Sequence, residues 1–191
     1  PLDRRHVLWT RHVLVIAIAA LCLNNLLRLP EYIGFDLAGH VEYVRELVRE
    51  GRIPLANEGW EHLQPPLHYL LSAPIGMLGR DWDAAELTRA LRLVPMACWV
   101  ASPFVLHGCA RAAAPNCGHT QIAILLIGCL LPVNVYMSQS PTNDALAGLL
   151  GALVCWMSYR LLSKEHLEAT KRTCLILGAL LGLALLTKLT T

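Results

Sequence analysis

Long apolar runs constrain this chain more than any other feature. Val13–Leu27, Leu91–Ala110, Ile122–Met137, Ala145–Leu162 and the run that starts at Cys174 dominate the sequence. Each approaches the ~20 residues that a helix needs to cross a bilayer core. Of 191 residues, 55% are hydrophobic and 16% charged. An ordinary soluble domain has roughly 45–50% and about 25%. The chain is too apolar for a disordered segment and too poor in charge for a typical soluble enzyme. A net charge of +2 gives no basic footprint for nucleic acid. The seven cysteines are odd in number, sit mostly in or beside apolar runs and form no CxxC, so they read as small buried hydrophobes.

Charge distribution adds orientation. Ten of the fourteen acids lie between Glu31 and Glu86, where the only cations are Arg45, Arg49, Arg52 and Arg80. Basic residues elsewhere mostly flank the apolar runs. The first run follows Arg4, Arg5, His6, Arg11 and His12, as a signal peptide also would, but Cys22–Leu29 holds no small-x-small cleavage pattern. A first membrane helix with a cytoplasmic N-terminus is expected.

Pro66–Gly79 is ambiguous. Its 14 residues would make a helix of only about 21 Å, and Pro74 interrupts it. If it does not cross, the N-terminus, Arg111 and the Arg160, Lys164, Lys171 and Arg172 loop all fall on the cytoplasmic side, as the positive-inside rule favours. The expected fold is therefore all-α. It is a polytopic transmembrane bundle with spans near 8–29, 89–110, 120–137, 145–162 and 173–191 and one extracytoplasmic loop over 30–88. The chain starts at Pro1 and stops soon after its last run starts, so the expectation is the N-terminal part of a longer membrane domain.

Within that loop, Leu37, Val41, Val44 and Val48 follow helical spacing, and Gly51 is a natural stop. The segment reads as an amphipathic helix resting on the membrane surface. Asp36 stands at its start, with His40 one turn later. An acid there either caps the helix or serves as a general base at the membrane boundary. Asp144, at the start of a later run, complements the helix dipole or shares a cavity with Asp36. Together they could orient an acceptor or hold a divalent metal. Lys188, Arg89 and Arg92 either snorkel to headgroups or contact a phosphate. His40 could orient an acceptor or a metal beside Asp144, and with His62 and His68 it could contribute to a metal site, although their spacing is not a recognised ligand pattern. Trp60, Tyr69 and Tyr32 fit interfacial anchors.

The order of segments carries a resemblance. FDLAGHVEYVRELVREGRIP is followed by WEHLQPPLHYLL, RALRLVP, YMSQSPTNDALAGLLGAL and GLALLTKLT. This series resembles the N-terminal part of the GT-C superfamily of polytopic glycosyltransferases. It is most similar to the protein mannosyltransferases and the bacterial lipid A aminoarabinose or RgtA/B/C/D-like transferases. The resemblance implies transfer of a sugar from a polyprenyl-phosphate donor to a lipid, glycan or protein acceptor, on the extracytoplasmic side of a bacterial plasma membrane. It implies Asp36 as the catalytic acid, Asp144 as an assisting or metal-binding acid, and Lys188 near the donor phosphate. The Pro-Pro segment would be a juxtamembrane helix. Gln64 stands where relatives often have His or Lys, and Leu37 where the mannosyltransferases often have a second acid. Intramembrane ionisable groups would instead suit a transporter, and an acidic docking loop a non-catalytic membrane subunit.

Overall fold

The computed structural model describes residues 4–32, 34, 36–162 and 171–189, so Lys164 of the basic loop lies outside the described residues. They form helices and loops, with no strand among them. The helices are α1 Arg4–Arg28, α2 Leu37–Glu50, α3 Leu67–Leu78, α4 Ala84–Leu91, α5 Leu93–Ala113, α6 Gly118–Leu130, α7 Pro132–Met137, α8 Asp144–Leu162 and α9 Lys171–Leu185. Three stretches are long and apolar enough to cross a membrane: Arg4–Arg28, Ala84–Ala113 and Asp144–Leu162.

The long helix α5 is the axis of the bundle. Met96 and Trp99 pack with Val7, Leu14, Ile18 and Cys22 of α1 and with Leu125 and Cys129 of α6. Its Cys98 meets Leu146 and Leu150 of α8. Trp99 donates its indole N–H to the Cys129 carbonyl at 2.9 Å. This satisfies the one polar atom of a side chain that is otherwise apolar packing. Glycines allow the helices to approach: a Cβ on Gly108 would lie 2.5 Å from the Trp156 ring of α8.

Side-chain partners give the helix directions. Arg11 of α1 meets His107, late in α5, at 3.2 Å, while Arg92, just before α5, bonds the carbonyl of Leu29. These two helices are antiparallel. Cys98 of α5 packs near the start of α8, and Cys109 bonds Ala152 further along it, so α5 and α8 are parallel. Leu180 and Ala184 return α9 alongside α8 in the opposite direction. The α1 C-terminus, the starts of α5 and α8 and the end of α9 therefore share one end of the bundle. The helices α2, α3 and α4 sit over that end.

Two sequence expectations need correction. The run over 120–137 is not one helix. Pro132 has no N–H to give to the Gly128 carbonyl and holds Leu131 in an extended conformation, at ψ 128°, as a residue before proline prefers. The chain breaks into α6 and α7, and Asn134 Nδ2 takes the freed Gly128 carbonyl at 2.8 Å. The second correction concerns α2. Its apolar face, Val41, Val44, Leu47 and Val48, is buried against Tyr69 and Ala73 of α3 and Leu87 and Leu91 of α4. Protein covers this face, leaving no apolar stripe on α2 for a membrane surface. The helix ends at Gly51, as expected: its φ is 66° and its N–H bonds the Leu47 carbonyl. Such a left-handed terminal residue favours glycine.

Outside the bundle the helices are apolar. Trp9, Val13, Ile16, Leu23 and Leu27 of α1 are exposed, as are Leu175 and Leu181 of α9. An apolar outer surface on helices whose backbone bonds are internally satisfied is the expected state of a chain that lies in lipid.

Candidate active site

Asp36 begins α2 but does not cap it. Its carbonyl accepts the first helical bond, from His40 N at 3.2 Å, while its side chain makes no capping bond. Its φ of 53° is left-handed, the one positive φ of a non-glycine residue among the described residues. That backbone conformation turns the carboxylate away from the helix end. Oδ1 instead accepts from the Trp60 indole N–H at 3.2 Å. Asp tolerates this region because its side chain is short and polar, but strain of this kind is retained where the surroundings enforce it.

Beneath Asp36 lies a buried polar cluster. His40 Nδ1 is 2.7 Å from the Tyr69 hydroxyl, and its Nε2 is 3.9 Å from Glu61. Tyr69 stacks on Tyr43 with ring centroids 3.6 Å apart. Tyr69 is wholly buried, which removes it from the expected interfacial anchors. Tyr32 and Trp60 remain exposed. Burial lowers His40 to a pKa of about 4, and it does the same to His68. Both rings are neutral near pH 7. Burial and the nearby Asp36 charge raise the Glu61 carboxyl. The charges of Asp36, Asp144 and Lys188 all act on His40.

Asp144, in the first turn of α8, accepts from Lys188 Nζ at 2.5 Å. The pair is about one third exposed on each side. Lys188 follows the end of α9. A charge-assisted bond from a compact ammonium to a carboxylate at such a boundary fixes both groups. A cavity of about 350 Å³ lies beside Asp144 between α5, α7 and α8, lined by Trp99, Val105, Asn134, Ser138 and Gly148.

The turn before α8 holds these segments together. Ser138, Gln139, Ser140, Thr142 and Asn143 are all buried. Asn143 Nδ2 donates to Gln64 Oε1 at 3.0 Å and to the Thr187 carbonyl at 2.9 Å. Gln139 accepts from Asn25 of α1 at 3.3 Å. Gly34 has a φ of 152°, and a Cβ there would lie 2.3 Å from Ser140 Oγ, so the loop before Asp36 presses directly on this turn. Gln64 is thus a structural acceptor. Glu61 and Asn143 were not singled out from sequence, and Trp60 was read as an interfacial anchor rather than as a partner of Asp36. Their one local signal is density of polar and aromatic residues in segments flanked by apolar runs.

Arg89 and Arg92 are used elsewhere. Arg89 pairs with Glu31. Arg92 is fully buried and donates to the carbonyls of Leu29 at 3.0 Å, Pro30 at 2.6 Å and Glu31 at 3.4 Å. Its guanidinium closes the carbonyl end of α1, a favourable place for a cation, and is turned to protein carbonyls. No group of three or more His, Cys, Asp or Glu side chains forms a metal site among the described residues. Among the described residues the Asp36 carboxylate meets Trp60 and the Asp144 carboxylate meets Lys188.

Comparison with known proteins gives one match. Residues 65–191 fit the family described as dolichyl-phosphate-mannose-protein mannosyltransferase. The matched stretch contains Asp144 and Lys188 and begins after Asp36. No curated protein and no solved structure matches the chain. The match covers most of the chain, and the apolar helices agree with it: this integral membrane protein belongs to the dolichyl-phosphate-mannose-protein mannosyltransferase family, of GT-C type, and is a membrane glycosyltransferase.

Proposed function

We propose that the protein transfers a sugar from a polyprenyl-phosphate donor to an acceptor hydroxyl on the extracytoplasmic face of the membrane. Asp36 acts as the base. The observation that carries this reading is the Lys188–Asp144 ion pair, which stands at the same end of the bundle as Asp36, more than a hundred residues before Asp144 in sequence.

The reaction is a direct displacement. The acceptor oxygen forms a bond to the anomeric carbon as the bond from that carbon to the phosphate oxygen breaks. The acceptor proton passes to the Asp36 carboxylate, and the lipid phosphate leaves as an anion. Because phosphate is already a good anion, the leaving group needs charge stabilisation more than a proton. The ammonium of Lys188 supplies it, held in place by Asp144. Trp60 aims the Asp36 carboxylate, and its indole N–H leaves Oδ2 free to accept the proton. The lipid chain lies in the cavity between α5, α7 and α8. The loop set over 30–88 faces the extracytoplasmic side, and the cationic ends at Arg11, Arg111 and Arg160 face the cytoplasm, in accord with the positive-inside rule.

Asp36→Asn tests the assignment. Asparagine also tolerates the left-handed region, so the variant removes the charge with little disturbance of the backbone. Sugar transfer from polyprenyl-phosphate donors, measured in membranes with the natively expressed protein, is expected to fall about 10²–10⁴-fold. Wild-type transfer by a folded Asp36→Asn protein would overturn the role.

A further inference from the structure

The helix α3 is inverted. Its inward face is comparatively polar: His68, Tyr69, Ser72, Ala73 and Gly76 are buried. Its outward face is apolar: Leu70, Leu71, Met77 and Leu78 are 46%, 49%, 59% and 80% exposed, and Pro74 lies exposed among them. A helix covering a bundle in water would turn the leucines inward. This one presents a continuous apolar stripe at the end of the bundle, as a helix lying in the headgroup boundary does.

At the C-terminal end of that stripe is a pocket of about 400 Å³ lined by Arg45, Val48, Arg49, Gly76, Gly79, Arg80 and Leu87. Three arginines line it and no acidic residue does. Gly76 makes this possible. A Cβ there would lie 2.7 Å from Val44 and 3.1 Å from Val48, so its absence lets α3 settle on α2 and brings Arg80 beside Arg45 and Arg49. Arg80 donates to the Val48 carbonyl at 3.3 Å, and Arg45 to the Trp82 carbonyl at 3.4 Å. Each bond uses one nitrogen and leaves the rest of the fork for a ligand. Neither arginine has a carboxylate partner among the described residues. Arg49 is shared with Glu46 at 3.9 Å and Glu50 at 3.2 Å. The neighbouring groove between α2 and α4 differs: Glu31, Glu42 and Glu46 line it with Arg45 and Arg49, so its charges offset and select no anion.

We propose that Arg45, Arg80 and Arg49 bind the phosphate of an anionic phospholipid headgroup while the α3 stripe lies among the acyl chains of the same leaflet. The planar guanidinium forks match phosphate oxygens in pairs, and the adjoining apolar stripe distinguishes a lipid from a soluble phosphate. This site is separate from Asp36, Asp144 and Lys188 and stands whether or not they catalyse transfer.

The test is lipid retention. The protein is reconstituted in discs of phosphatidylcholine with a minor share of phosphatidylglycerol, then stripped with detergent, and the bound lipid is counted by native mass spectrometry. The wild type is expected to retain phosphatidylglycerol preferentially. Arg45→Gln and Arg80→Gln should each lower retention about fivefold, the roughly 1 kcal/mol that a cation near an anionic surface contributes, and Arg45→Lys/Arg80→Lys should keep only part of it, since an ammonium cannot pair two phosphate oxygens. Equal retention of both lipids, or unchanged retention by the glutamine variants, overturns the site. Rising salt should weaken retention by the wild type, a reading that does not depend on any variant folding; indifference to salt counts against the proposal. Displacement of the lipid by millimolar inorganic phosphate would overturn the lipid assignment, and persistence of the bound lipid supports it.

Discussion

The left-handed backbone of Asp36 separates stability from chemistry at one position. Glycine adopts a φ of 53° without the steric cost that a Cβ brings. Asp36→Gly is therefore expected to unfold at the same temperature as the wild type or slightly higher, worth up to about 1 kcal/mol, while sugar transfer is lost. Thermal unfolding in detergent and a transfer assay on the same preparation check it; a strongly destabilised glycine variant would show that the Asp36 backbone is not strained. The buried histidines give a second prediction. The unfolded chain takes up a proton on His40 and His68 near pH 6.5, whereas the folded chain does so only near pH 4. Unfolding therefore binds protons in this window, and stability falls as pH drops from about 6.5 to 4. The unfolding temperature should decline across that range, and His40→Asn should flatten the decline.

At the level of elements, Arg92 joins two helices that are sixty residues apart. Replacing it with methionine leaves the Leu29 and Pro30 carbonyls without their donor in a buried place, a loss of about 3 kcal/mol. Arg92→Met should lower the unfolding temperature markedly, and Arg92→Lys should recover only part, because one ammonium cannot span three carbonyls. Differential scanning fluorimetry measures both; an unchanged Arg92→Met melting curve would remove the clamp. The same residue shows where sequence reading stops. The α2 helix and its end at Gly51 were legible because 3.6-residue spacing and a glycine stop are local signals. That Arg92 serves α1 was not, because carbonyls carry no trace in sequence. The apolar face of α2 was legible as a face, but its cover was not: lipid and a neighbouring helix ask for the same leucines and valines. For α3 the ambiguity ran the other way, since both faces hold hydrophobic residues and only packing decides which one turns outward. Asp36 and Asp144 could be paired from sequence because both stand at helix starts. Trp60 and Glu61 could not, because they come from a loop with no periodicity.

For the whole molecule, α1 and α9 running one way and α5 and α8 the other put the loop helices at one end and Arg11, Arg111 and Arg160 at the other. Under the proposed orientation, a membrane-impermeant maleimide should label Asp81→Cys in intact cells. Cys117, exposed in the turn between α5 and α6, should react only after permeabilisation, each being read in a background free of the other cysteines. The reverse pattern would invert the orientation.

The buried turn before α8 also sets an order of events during synthesis. Asn143 rests on Gln64, made long before it, and on Thr187, made 44 residues later. Leu67 N, at the start of α3, likewise waits for the Leu186 carbonyl, 2.9 Å away in the finished fold. While the ribosome is still translating α9, both donors lack these acceptors, and Asp144 lacks Lys188. Domains assemble as the chain emerges, and here the residues just after α9 supply the missing partners. A nascent chain halted before α9 would hold its earlier helices without these bonds, so the turn before α8 is fully partnered no earlier than the moment α9 docks.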